Sequence, residues 1–204
     1  MLDLFQSEII NLLPCDGEAN YHGLVLSLAQ ANDYYQALLN NIDWQPDQAV
    51  IYGKHITTRR KVAWHGDHRY AYTYSNTTKH ALPWTAELQQ LKQLAEQRSG
   101  LRYNSCLLNL YHDGSEGMAW HSDDELALGK NTSIASFSLG AARKFSFKHK
   151  RTGATHSLIL EHGSLLVMQG STQSHWLHRL PPTTTVSTPR INLTFRTIVH
   201  QATS

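Results

Sequence analysis

The chain has 204 residues, a formal net charge of +2, and 41% hydrophobic and 17% charged residues, the make-up of an ordinary globular protein. A disordered chain and a whole-molecule polycation are excluded, and one well-buried domain spanning 1–204 is expected. No stretch approaches the roughly 20 apolar residues of a membrane helix, and "MLDLFQSEIINLLP" carries acids where a leader would carry Lys or Arg, which predicts a cytoplasmic protein with no membrane partner.

In chain order, Cys15 and Cys106 are the only cysteines and lie far apart, which predicts reduced thiols used for packing. A mixed apolar stretch predicts one short helix over Tyr21–Ala31. "KHITTRRK" (54–61) and "RKFSFKHKR" (143–151) concentrate basic residues that could supply phosphate contacts, the plain alternative being solvated basic loops. "TAELQQLKQLAEQRSG" predicts a second helix with Leu88, Leu91, Leu94 and Ala95 on one face and Gly100 as its stop. The rest of the first hundred residues reads as loops and short strands.

Beyond Gly100 the pattern changes to "SCLLNLY", "SIASFSL", "KFSFKHK", "HSLILE", "SLLVMQ" and "INLTFRTIV", short strands with turn signals and no helix between them. The expected fold is mostly β with flanking helices (α+β), built on an antiparallel sandwich or jelly roll. The tail "HQATS" reads as a dispensable terminus.

Thirteen histidines make any single motif weak evidence. Two His-x-Asp triplets occur: His65-Gly66-Asp67 in a polar segment without a strand pattern, and His121-Ser122-Asp123 just after an apolar strand. On an extended segment His121 and Asp123 share a face and can grip one ion. With a second imidazole from a distant strand they would form the facial triad of non-haem Fe(II) oxygenases. "QSHWLHRLPP" offers His175 and His178, which face opposite ways on a strand, so only one can serve.

An oxygenase of this kind must hold a two-carboxylate cosubstrate inside its barrel. "PRINLTFR" answers that need. Ile191, Leu193 and Phe195 point one way, and Arg190, Asn192, Thr194 and Arg196 the other, where guanidinium groups can take carboxylates in charge-assisted bonds. "NLY" repeats the device, with Asn109 and Tyr111 on one face.

"NLYHDGSEGMAWHSDDE", "SIASFSLGAARKFSFKHK", "HGSLLVMQGSTQSHWLHRLPP" and "PRINLTFR", in that order, resemble the AlkB family of Fe(II)- and 2-oxoglutarate-dependent nucleic-acid dealkylases, over roughly residues 50 to 199. The resemblance implies a double-stranded β-helix (jelly-roll) core over 101–199, behind an N-terminal extension and nucleotide-recognition lid over 1–100. It assigns Fe(II) to His121, Asp123 and His178, which with O2 make the catalytic centre. It assigns 2-oxoglutarate to Asn109, Tyr111, Arg190, Asn192 and Arg196. Glu125 matches an acidic position near the target base, and "AWHGDHRYAYTYS", containing Trp64 and Tyr74, matches the segment that covers the substrate.

"IYGKH" (51–55) is similar to the base-pair-probing hairpin of the duplex-acting branch, with Tyr52 at the intercalating position. "WHSDDE" and "WLHR" lie closer to the branch that prefers single strands and accepts RNA. The implied reaction is oxidative demethylation of N1-methyladenine and N3-methylcytosine in DNA, with RNA an open second partner, by a monomer that clamps one strand. The alternative within the same chemistry is an oxygenase acting on a protein or small molecule.

Overall fold

Alternation of side chains across strands decides how the layers stack. The structure, a computed structural model, describes residues 10–51, 54–74 and 77–199, with only the backbone course given for 48–51, 54–56, 72–74, 77 and 78. Its elements are β1 (Glu18–Leu24), α1 (Leu28–Asn41), β2 (Gln45–Ile51), β3 (Lys54–Gly66), β4 (Ala71–Tyr74), β5 (Thr77–His80), α2 (Ala86–Ser99), β6 (Ser105–Tyr111) and β7 (Met118–His121), then β8 (Ile134–Gly140), β9 (Arg143–His149), β10 (Thr155–Leu160), β11 (Ser164–Gln169), the one-turn α3 (Thr172–His175), β12 (Trp176–Leu180) and β13 (Arg190–Arg196).

A seven-stranded sheet runs β1-β11-β8-β13-β6-β3-β2 and a four-stranded sheet runs β10-β9-β12-β7, with β4-β5 a separate hairpin. Every pairing between them is antiparallel, and the mostly β jelly roll expected from the sequence is the observed fold. Both faces of the large sheet are covered. Outside, Leu108, Phe137, Leu139, Ile191, Leu193 and Phe195 pack on Leu38 of α1 and on Leu88, Leu91 and Ala95 of α2. Inside, Ile134, Leu166 and Met168 meet Phe147, Leu160 and Trp176 of the small sheet, closing one end of the sandwich.

Helix α2 follows its sequence reading: Thr85 caps it, Leu88, Leu91 and Ala95 are buried, and Gly100 ends it at φ 72°. The helix expected over Tyr21–Ala31 is corrected. Residues Glu18–Leu24 instead extend the large sheet by pairing with β11, and α1 begins only at Leu28, where Ser27 and Gln30 form a capping box. The apolar stretch straddles a strand and a helix, so its period belonged to neither.

Three further expectations change. Turns of helix do interrupt the second half, a 3-10 turn at Leu126–Leu128 and α3 at Thr172–His175. Cys106 is a packing residue but Cys15 is exposed; both are free thiols. His65 lies within the 13-residue β3, not outside a strand, and the large sheet takes β1, β2 and β3 from the first hundred residues.

Two histidines tie the helices to this sheet. His65 Nδ1 bonds the Pro83 carbonyl at 2.6 Å, and His162 accepts from Gly140 N–H at 2.8 Å while its Nε2 meets Asn32 of α1 at 3.1 Å. Burial lowers the pKa of both imidazoles, and the Pro83 carbonyl only partly opposes this at His65. The unfolded chain therefore binds more protons, so stability is full above the unfolded value of roughly 6.5 and falls as pH drops below it. The urea midpoint at pH 5.5 is expected to lie below that at pH 7.5; equal midpoints would contradict this linkage.

Candidate active site

The site forms between the two inner faces, beside the Trp176 core, with Met168 common to both. Register brings the histidines together first. His121 ends β7 directly opposite His178 on β12, so both rings leave the small sheet on its inner face, with centroids 4.3 Å apart. The chain then leaves the strand, and Asp123 turns back beside them. Asp123 Oδ2 lies 3.7 Å from His178 Nε2 and Oδ1 4.0 Å from His121 Nε2. One donor atom from each of the three residues lies within 4.8 Å of the others.

Tautomers suit a cation. His121 Nδ1 lies 2.8 Å from the Ala119 carbonyl and donates to it, which turns Nε2, the nitrogen a metal would take, toward the cluster. His178 is 4% exposed, and burial outweighs the Asp123 charge to push its pKa down to about 3, so it is neutral. Burial raises the Asp123 carboxyl, but the Arg196 guanidinium beside it pulls it below the ordinary carboxylate range. Two imidazoles and a carboxylate are the donor set of a divalent iron.

From the cluster a cavity of about 180 Å³ runs between the sheets. Asn109 and Tyr111 of β6 and Arg190, Asn192, Thr194 and Arg196 of β13 line it, while Leu107, Met118, Phe145, Met168 and Leu180 give it apolar walls. The two arginines sit differently. Arg196 donates to Asp123 Oδ1 at 3.0 Å and is neutralised there. Arg190 is 2% exposed, donates to Ser138 Oγ at 2.9 Å and lies 5.6 Å from the centre of the Tyr111 ring. Among the described residues no carboxylate pairs with it, and burial lowers its pKa to about 10, Tyr111 only partly opposing. A buried cation without a counter-ion is costly, and a ligand carboxylate in this cavity would remove that cost. Asn109 Oδ1 is likewise buried with no partner.

Of the candidates for the substrate, Glu125 is exposed at the mouth and lines the cavity. Trp64 stands opposite Leu107 but is half-buried, donates to Ser105 Oγ at 2.7 Å and stacks on Tyr70, outside the cavity lining. Tyr74 closes β4 with only its backbone described, and Tyr52 and the tail "HQATS" lie outside the described residues. Ser136 and Ser138 are site residues that the sequence reading passed over. Each holds a β13 side chain, Asn192 at 2.8 Å and Arg190 at 2.9 Å, and the Ser-x-Ser alternation of "SIASFSL" was the signal.

Competing clusters are spent on structure. Asp67 accepts from Trp84 Nε1 at 2.6 Å and from Lys92 at 2.9 Å, so His65-Gly66-Asp67 is no metal site even though β3 supplies the strand it was thought to lack. Cys15, Asp16 and His149 also converge. There, however, Thr152 N–H donates to His149 Nδ1 at 3.1 Å, which puts the ring proton on Nε2 and leaves it donating to Asp16 rather than ligating. The basic run 143–151 is likewise partly internal. Arg143 is 2% exposed and donates to the carbonyls of Asp113, Gly114, Glu116 and Pro181, leaving Lys144, Lys148 and Arg151 exposed. In the 54–61 run, Arg60 is bound to Asp47 and Arg59 spans to Asp113 and Glu116.

A jelly roll with a His-Asp-His cluster at the mouth of its inner cavity defines an iron-dependent oxygenase. The model of the 2OG-Fe(II) oxygenase superfamily matches residues 19–196. The chain is 34% identical to bovine (Bos taurus) DNA oxidative demethylase ALKBH2, covering 92% of this chain and 69% of that protein, and 36% identical to mouse (Mus musculus) ALKBH2, covering 92% and 81%. It is 35% identical to the human (Homo sapiens) alpha-ketoglutarate-dependent dioxygenase alkB homolog 3, covering 87% of this chain and 65% of that one. The solved structure of OsALKBH1 superposes with a TM-score of 0.60 at 16% identity over 90% of this chain and 99% of that one, a likeness of fold.

The protein therefore belongs to the AlkB family of 2OG-Fe(II) oxygenases. It is a dioxygenase that uses Fe(II), 2-oxoglutarate and O2, and the residues present fit both: the imidazole and carboxylate donor set suits the metal, and the unpaired Arg190 suits a dicarboxylate. His178→Ala and Asp123→Ala are each expected to lose Co(II) binding while keeping the wild-type circular dichroism, and His65→Ala and His175→Ala to keep both. Loss of the metal in His65→Ala would move the site.

Proposed function

We propose that the protein removes methyl groups oxidatively from N1-methyladenine and N3-methylcytosine in DNA, with RNA as a second substrate. The observation that carries the oxidative half is the pairing within one cavity of the His121-Asp123-His178 cluster and an uncompensated buried Arg190. The substrate class is supported by the relatives, which include proteins named DNA oxidative demethylase at 34–36% identity.

His121, Asp123 and His178 would hold iron, which when bound supplies oxidative activation of O2 at the expense of 2-oxoglutarate, giving succinate, CO2 and formaldehyde from the hydroxylated N-methyl group. The chain's own residues divide the remaining work. Arg190, fixed by Ser138 and flanked by Tyr111, takes the cosubstrate carboxylate remote from the metal. Arg196, already against Asp123, serves the metal-side end and keeps that carboxylate ionised. Asn192 is held by Ser136 Oγ at 2.8 Å and the Phe137 carbonyl at 2.9 Å, so its amide carbonyl is presented without rotation. Leu107, Met118, Phe145 and Leu180 exclude water around the methyl group. Glu125 stands at the rim where a base would enter. An alkylated base pairs poorly, so extruding it costs less than flipping an intact one.

Mass spectrometry of a single-stranded DNA bearing one N1-methyladenine, incubated with protein, Fe(II), 2-oxoglutarate and ascorbate in air, should show loss of one methyl mass with matching succinate. Succinate from an unchanged oligonucleotide would instead indicate a protein or small-molecule substrate. Arg190→Met should raise the half-saturating 2-oxoglutarate concentration about ten- to hundredfold, as expected of a lost bond to a charged group worth about 1.5–3 kcal/mol; an unchanged value would remove Arg190 from the cosubstrate.

A further inference from the structure

The metal-ligand segment leaves its strand before it reaches Asp123, and something else must hold it. Across Ser122–Glu125 the described backbone N–H groups donate once only, from Asp123 N–H to Gln173 Oε1 at 2.9 Å. Gln173 is 4% exposed, and its Nε2 meets the Met168 sulfur at 3.8 Å. Its helical turn is pinned in place by Thr172, whose hydroxyl accepts from Glu18 N–H at 2.7 Å and donates towards the carbonyls of Glu18 and Gln169.

Lys150 closes the arrangement from outside. Its ammonium donates to the Gln173 carbonyl at 2.8 Å and to Ser122 Oγ at 3.0 Å, and stands 3.7 Å from Asp124 Oδ2. Its own N–H donates to the His175 carbonyl at 2.8 Å, so the β9–β10 turn, α3 and the ligand segment meet at one side chain. Ser122 Oγ passes its proton on to Asp124 at 3.0 Å.

We infer that Gln173 and Lys150 are positioning residues that hold the Ser122–Asp124 segment so that the Asp123 carboxylate faces His121 and His178 before any metal arrives. Arg196 fixes the side chain of Asp123 and Gln173 fixes its backbone; together they leave the carboxylate one direction. Neither Gln173 nor Lys150 lines the cavity, so their effect falls on metal affinity rather than on cosubstrate contacts. The inference rests on the reading of His121, Asp123 and His178 as metal ligands.

Co(II) alone, titrated into wild-type protein, Gln173→Met and Lys150→Met with His178→Ala as the blank, separates the two. Gln173→Met keeps the volume and loses the acceptor; it should bind Co(II) about tenfold or more weakly, the range seen for partners of metal ligands, while the metal-free protein melts as wild type does. Lys150→Met should weaken binding in the same direction, and as a change at an accessible side chain it decides the matter if Gln173→Met fails to fold. Wild-type affinity in a folded Gln173→Met, or in Lys150→Met, overturns the role of that residue. Absence of Co(II) binding by the wild type would instead overturn the metal reading itself.

Discussion

The period-two alternation of β13 is the constraint on which the rest of the molecule depends. This strand lies between β8 and β6 in the middle of the large sheet, so it cannot shift without breaking two ladders. Ile191, Leu193 and Phe195 are fully buried against the helices, while Arg190, Asn192, Thr194 and Arg196 line the cavity. A slip of one residue would drive two guanidinium groups into the helix-packed core and three apolar side chains into the site. Fold and site thus share one register, and the hydrophobic packing of α1 and α2 is what holds the cosubstrate residues in place.

The division of labour between the sheets follows from this. The imidazoles come from the small sheet, His121 and His178 on neighbouring strands, and the arginines and amides come from the large one. A bond from Arg196 to Asp123 joins the two sets across the gap. The width of that gap is set by the core beside it, where Ile134, Leu166 and Met168 pack on Phe147, Leu160 and Trp176 and Met168 also walls the cavity. Interiors of this kind are close-packed and stiff, so the spacing across the cavity is a property of the adjoining core as much as of the site itself.

What the sequence made legible was whatever carried a local period. The alternation of "SCLLNLY" and "PRINLTFR" placed Asn109, Tyr111, Arg190, Asn192 and Arg196 on the correct faces, and Leu88, Leu91 and Ala95 did the same for α2. Short pieces fixed by tertiary pairing were not legible. The strand "MAWH" exists because His121 lies opposite His178, and β1 exists because β11 offers an edge. Nor did local pattern reveal Gln173 or Arg143, whose partners are main-chain groups far along the chain. The Arg/Lys-rich run 143–151 was legible only in part: charge count says nothing about direction, and Arg143 and Lys150 point to carbonyls while Lys144, Lys148 and Arg151 stay exposed.

Charge bookkeeping inside the sandwich sets three of its arginines apart. Arg143 is as buried as Arg190, yet its two terminal nitrogens donate to four carbonyl oxygens, so it braces the β6–β7 and β12–β13 connections. Arg196 has Asp123 as its counter-ion. Arg190 alone among these three reaches one neutral hydroxyl and the edge of a tyrosine ring's field, a supply of negative potential too weak for a desolvated guanidinium. A buried charge left in that condition is stable only because the surrounding ladders over-determine its place, and it turns the cavity's inner end into a receptor for an anion. A dicarboxylate would fit this arrangement: one carboxylate would answer Arg190, and the length of the ligand would carry the other toward the Arg196 and Asp123 end of the cavity.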